Sequence, residues 1–319
     1  MLQNFLVAVN AVVPFLCYLA LGWGARKAGA VDIPFLNRLT KLVFAVMFPF
    51  MTFNNIYAAD PGNTPSPSLL VFVGSGILLL EGLMLALVPR LVKENPRRGV
   101  IIQAMYRSNF VLFGLPLTVT IFGEEKASIV AMLVTLVLTI YNSTSVVILE
   151  LFNDGGDPSH RVTAGDLLSR LVRNPMLQGC ALGLVFYCLQ IRLPGCIASP
   201  VANIANMTTP LAMFALGGTL RFEAIAKNLR YLIPVLGGKL VIIPLVLMPV
   251  AYAIGLRGVE LFLVLAVFGT PVASGSYPMA MNMGGDGELA GQFVFLSTVA
   301  SIFTLFLWIF CMGSMGLLV

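Results

Sequence analysis

Charge is scarce in this chain: only 10% of its 319 residues are charged, 19 Lys and Arg against 14 Asp and Glu, where soluble domains carry roughly 25%. That shortage excludes an ordinary soluble domain. Histidine is reduced to His160, in a polar loop, and the five cysteines (Cys17, Cys180, Cys188, Cys196, Cys311) have no paired spacing. Neither a disulfide framework nor a zinc site follows from them. There is no Gly-x-Ser-x-Gly, no His-Glu-x-x-His and no phosphate loop, so the chain reads as a non-enzyme, without cofactor or metal and without a nucleotide motor. The net charge of +5 falls in short clusters between apolar runs, which speaks for membrane topology and against nucleic acid. The first apolar run, 5 to 24, lacks a basic leader and a small-residue cleavage pattern and contains Pro14. It reads as a retained helix and not a signal peptide.

What the chain has in abundance is apolar sequence, 58% hydrophobic with a mean hydropathy of +0.94. About 20 apolar residues span a bilayer core. Cutting the long runs at polar or Gly/Pro clusters predicts ten membrane segments near 5–25, 35–57, 67–90, 99–122, 126–150, 174–191, 197–220, 230–254, 259–283 and 288–312. The fold class expected is an all-α polytopic membrane protein. The most polar stretch, 153–173, is a linker between two halves, 1–152 and 174–319. Basic residues crowd alternate loops: Arg26, Lys27 and Arg38; Arg90, Lys93, Arg97 and Arg98; Arg161, Arg170 and Arg173; Arg221, Lys227 and Arg230. The opposite loops hold only Lys126, Arg192 and Arg257. The first set is then cytoplasmic, and both termini lie outside.

The halves echo each other. An offset of 161 pairs Pro14 with Pro175, Leu21-Gly22 with Leu182-Gly183 and Pro49 with Pro210. One residue later, an offset of 162 pairs Gly76 with Gly238, Asn109 with Pro271, Pro116 with Pro278, Gly123 with Gly285 and Glu124 with Asp286. Each half has five segments, an odd number, so the second copy enters the membrane with opposite polarity. Inverted repeats of this kind place transporter sites near the midplane, at discontinuous helices.

Two stretches carry the polar chemistry. The first, 107–117, combines Arg107, Ser108 and Asn109 with Gly114 and Pro116; the second, 269–279, combines Thr270, Pro271, Ser274, Ser276, Tyr277 and Pro278. Proline removes a helical hydrogen bond and clashes with the preceding turn, and irregular backbone at membrane depth belongs against a cavity. Pro116 with Gly114, and Pro271 and Pro278 with Gly269 and Gly275, are the expected points of unwinding. Open helix ends there present amides to an anion. Arg107 either attracts a substrate carboxylate or snorkels to the cytoplasmic interface. Asn109 either binds substrate or bridges helices.

Arg107-Ser-Asn-Phe110 with Gly114-Leu-Pro-Leu117, Thr270-Pro-Val-Ala273, and Gly284-Gly-Asp286 followed by Leu289-Ala290 resemble the auxin efflux carrier family. That family includes plant PIN-type carriers and bacterial malate or malonate permeases, and the resemblance covers essentially the whole chain. It implies two inverted five-helix repeats whose fourth and ninth helices cross, and a scaffold of helices 1, 2, 6 and 7. It further implies a transport domain of helices 3–5 and 8–10, with elevator-like alternating access. The first crossover has one proline, Pro116, where plant members place a proline nearer the asparagine, and the short central loop is similar to that of bacterial members.

Further polar positions have two readings each. Asn54, Asn55, Asn203, Asn206, Thr208 and Thr209 either line the scaffold side of the site or bridge helices. Glu81 and Lys239, on segments in matching repeat positions, are candidates for a coupling relay or a buried pair; Lys239 alternatively snorkels. Glu150 and Asp286 are expected at the interface. Gly284-Gly285-Asp286 is similar to the Gly-x-Gly-Asp of intramembrane aspartyl proteases, but Met283 occupies the first glycine position, and Asp32, Asp60 and Asp166 are all in loops. The expected function is a secondary transporter of small organic acids, auxin-like or dicarboxylates such as malate or malonate, in the bacterial inner membrane. The alternatives are a sodium-coupled organic-anion symporter of the bile acid transporter type and a non-transporting receptor. The expected partners are the organic-acid substrate and the lipid bilayer, and a homodimer is left open.

Overall fold

A computed structural model describes residues 2–58, 65–153 and 164–318. Asp60, His160 and Arg161 lie outside the described residues. Within them the chain is helical: α1 (Leu2–Lys27), α2 (Ile33–Tyr57), α3 (Pro67–Leu91), α4 (Asn95–Tyr106), α5 (Phe110–Phe122), α6 (Glu124–Leu151), α7 (Ala164–Arg173), α8 (Pro175–Cys188), α9 (Gly195–Thr219), α10 (Phe222–Ala253), α11 (Gly258–Gly269), α12 (Ser276–Asn282) and α13 (Gly287–Ser314). The described residues form no strand, and their one isolated bridge joins Ser108 to Val272. Five helices, α2, α3, α6, α10 and α13, are long and apolar enough by length and composition to cross a membrane, and α5, α8 and α11 are shorter apolar helices.

Two of the predicted segments are split. The run expected at 99–122 is α4 and α5, separated at Arg107–Asn109, and the run expected at 259–283 is α11 and α12, separated at 270–275. The predicted linker contains a helix, α7, which is sharply amphipathic: Leu168 and Val172 are exposed, while Arg170 pairs with Glu150 of α6 at 3.0 Å. Its segregated face suits a membrane interface. Two helices carry one wide turn each, at Val43–Met47 in α2 and Gly238–Ile242 in α10.

Packing follows small residues. α1 lies along α9, and α2 along α8. The first contact is so close that a Cβ at Gly22 would stand 1.9 Å from the Phe214 carbonyl oxygen; a Cβ at Gly183 would stand 3.0 Å from that of Phe53. The offset of 161 relates Gly22 to Gly183, and it also relates Phe53 to Phe214. In lipid, where hydrophobicity gives helices little reason to associate, such backbone approach supplies the attraction. At the other extreme is α11, buried on every side from Leu261 to Gly269. An all-round apolar helix is a central one.

Gly22→Ala places a methyl group inside the backbone of α9, and the resulting overpacking costs about 1–3 kcal/mol. Thermal unfolding in detergent is expected to show a lower melting temperature for this variant. Gly24→Ala, with no heavy atom within 4 Å of its added methyl, is expected to unfold like the parent.

Candidate functional site

The second break begins at Pro271. A residue preceding proline is pushed out of the helical region, and Thr270 is extended, with φ −78° and ψ 161°. Pro271 has no N–H for the carbonyl four residues back, that of Val267. That carbonyl instead accepts from the Ser108 hydroxyl and, at 3.2 Å, from the Tyr141 hydroxyl; the two hydroxyls are 3.0 Å apart. Val272 N–H donates to Ser297 Oγ at 3.0 Å. The Thr270 hydroxyl caps the Ala266 carbonyl at 2.8 Å.

The first break has no proline. Arg107 turns to φ −81°, ψ 126°, and Asn109 donates its backbone N–H to the Pro271 carbonyl at 2.8 Å. The carbonyl of Tyr106, released by the interruption, accepts from Lys239 Nζ at 3.3 Å. Asn109 and Pro271 are repeat mates at the offset of 162, so the breaks touch at corresponding positions.

Pro116 and Pro278 do not mark the unwinding points, contrary to expectation. Pro116 is the seventh residue of α5 and removes one bond, to the Leu112 carbonyl, without ending the helix. Pro278 is third in α12, where the missing N–H belongs to the turn that has no helical acceptor anyway. Gly114 lies inside α5 under the Phe110 ring.

Beside the breaks lies a cavity of about 600 Å³. Its wall brings together Arg107, Ser108, Asn109, Pro116 and Ser274 from the two stretches and Asn55 and Asn206 from α2 and α9. Thr209 also reaches it, as do Phe15, Tyr18, Phe48 and Met51. Gly114, Thr270, Pro271, Ser276 and Tyr277 are outside the wall, as are Asn54, Thr208, Glu81 and Lys239. Tyr277 instead shares a 2.7 Å hydrogen bond with Thr219 of α9, and the Thr208 hydroxyl donates to the Ile204 carbonyl within its own helix at 3.0 Å.

Arg107 does not snorkel: it is 3% exposed. One Nη donates to Asn142 Oδ1 at 3.1 Å, another touches the Met279 sulfur, and Nε has no partner among the described residues. Among the described residues no carboxylate stands within ion-pair distance of it; the ion pairs there join Arg97 to Glu94 and Asp286, Lys126 to Glu125, and Arg170 to Glu150. Lys239 is fully buried and does not snorkel either, and it makes no ion pair with Glu81. Glu81 is 9% exposed, lies beside Thr144 and Tyr106, and leaves Oε2 unbonded. The Asn109 side chain makes no hydrogen bond within the described residues.

Tyr141 and Asn142 were not foreseen. Their signal is the run Tyr141-Asn-Ser-Thr-Ser145, five polar residues in succession within an otherwise apolar segment.

The family model for the membrane transport protein family matches residues 7–309. The chain belongs to that family. An uncharacterized transporter of Methanothermobacter thermautotrophicus is 26% identical over 317 residues, covering 95% of this chain and 98% of the relative. A membrane transporter accounts for the apolar helices and for a cavity with a few polar side chains at broken backbone. This family membership is what the resemblance to auxin efflux carriers pointed to.

Because the Ser108 and Tyr141 hydroxyls share one acceptor, Ser108→Ala and Tyr141→Phe are each expected to cost about 0.5–1.5 kcal/mol. The double variant strands the Val267 carbonyl and is expected to lose more than the sum of the two. A double-mutant cycle on thermal or denaturant unfolding measures that excess.

Proposed function

We propose that the chain is a secondary carrier of small organic acids that holds a substrate carboxylate at Arg107, where two broken helices meet, and moves it by elevator-type alternating access. One observation carries this reading: a guanidinium buried in a cavity wall without a carboxylate of its own among the described residues. An unpaired buried charge is strongly unfavourable, and an ionisable group inside a membrane protein marks a pathway or a ligand. An anion entering the cavity supplies the missing charge. Asn109, with its free side-chain amide, and the amides opening α5 offer donors beside it. The aromatic and aliphatic residues of the wall suit the body of an organic acid, auxin-like or a dicarboxylate such as malate or malonate, better than that of an inorganic ion.

The architecture we infer is ten membrane segments in two inverted five-helix repeats, α4–α5 and α11–α12 forming the fourth and ninth. The matching Gly22–Phe214 and Gly183–Phe53 approaches and the Asn109–Pro271 bond between repeat mates support it. α1, α2, α8 and α9 form the scaffold, and the remaining membrane segments form the transport domain. The cavity draws residues from both groups, as alternating access requires of a shared site. The basic loops put both termini outside a cell membrane, and the chain acts without catalysis.

Arg107→Gln removes the charge and keeps a hydrogen-bonding side chain. Counterflow of labelled malonate, malate or indole-3-acetate in proteoliposomes is expected to fall on the order of 100-fold, while the melting temperature without substrate stays level or rises. Full transport by this variant would sink the reading.

A further inference from the structure

Asn142 occupies a place from which a carboxylate would have neutralised Arg107. It projects from α6, is 1% exposed, and accepts from an Arg107 Nη at 3.1 Å through Oδ1, while its Nδ2 has no acceptor among the described residues. Three other polar members of its run are bonded elsewhere. Tyr141 serves the Val267 carbonyl, Thr144 donates to the Tyr106 hydroxyl at 3.1 Å, and Ser145 shares a 2.8 Å bond with that hydroxyl and accepts from Gln103 Nε2 at 3.3 Å through its carbonyl. Asn142 is the member of this run that hydrogen-bonds the cation.

Asparagine and aspartate have nearly the same shape, and at 3.1 Å an aspartate would add a full opposite charge to the hydrogen bond that the guanidinium already makes. An amide at this position therefore orients the guanidinium while leaving its charge uncompensated. The unbonded Nδ2 fits the same arrangement, because Asn142 adds a second buried donor beside the unbonded Nε of Arg107 where a carboxylate would have added an acceptor. Both residues reach the wall of the cavity. Building on the proposed carrier function, we propose that Asn142 is the charge-selectivity determinant of the site: it positions Arg107 without neutralising it, so that the substrate's carboxylate serves as the counter-ion.

The test uses the full-length purified protein, with malonate, malate and indole-3-acetate as probes in thermal-shift titrations and in counterflow. Asn142→Asp supplies the counter-ion internally. It is expected to melt at a higher temperature than the parent without probe, and its apparent affinity for the responding probe is expected to drop on the order of 100-fold. Asn142→Ala removes the orienting bond and keeps the charge open. Its expected loss is roughly tenfold, the lower end for a hydrogen bond to a charged group, because the guanidinium's charge stays open to the probe.

An Asn142→Asp protein that binds the probe as tightly as the parent overturns the assignment. So does one that fails to fold, because the new ion pair should stabilise it. An Asn142→Ala loss as large as that of Asn142→Asp shows a structural role only and overturns it too. The carrier reading fails separately, through a parent that responds to none of the probes or an Arg107→Gln variant that responds normally. A lost response in Arg107→Gln beside an intact one in Asn142→Asp rejects the role of Asn142 and leaves that of Arg107.

Discussion

A helix in a bilayer can be interrupted only where other protein groups take the backbone donors and acceptors that the interruption releases, since each left alone costs several kcal/mol. Here two interruptions serve each other. Pro271 deprives the Val267 carbonyl of its helical donor, and hydroxyls from the other break and from α6 replace it. Asn109, displaced from its own helix, gives its N–H to the Pro271 carbonyl. Lys239 takes the Tyr106 carbonyl, so a cation that would otherwise have to be expelled from the membrane interior is retained as part of the backbone repair. Each break thus supplies hydrogen-bond partners to the other.

That mutual repair sets where function can reside. Side chains next to irregular backbone in a rigid frame are held in place, and Arg107, Ser108, Asn109 and Ser274 all reach the same cavity wall. The frame on the other side of the cavity is made by close helix pairs, α1 with α9 and α2 with α8. The Tyr277–Thr219 hydrogen bond joins the second broken segment to α9 outside the cavity.

Much of the fold was legible. Long apolar runs and Gly/Pro punctuation located the helices, because in lipid the backbone has few other options. Thr270-Pro271 was readable as an interruption, since a proline acts on the residue immediately before it. Pro116 and Pro278 were misread for a related reason: proline's penalty depends on its position in a helix, and that position cannot be known until the helix's start is known. In α12 the proline costs no hydrogen bond, and in α5 it costs one. Arg107, Ser108 and Asn109 were identified as polar residues out of place, but their break is imposed from α11 and has no local cause.

The sequence by itself marked a helical, apolar membrane protein of the transporter type, with halves that echo each other in residue pattern and polar residues concentrated at 107–109 and 270–276. All of these follow from hydropathy, offset and the local stereochemistry of proline. Only the tertiary structure decided that Arg107 is buried and, among the described residues, without a carboxylate, that Lys239 mends backbone, and that Asn142 faces the guanidinium. Those facts depend on which groups meet across helices far apart in the chain. A charge in a low-dielectric interior is defined by its neighbours, and 35 residues separate Arg107 from the amide that holds it.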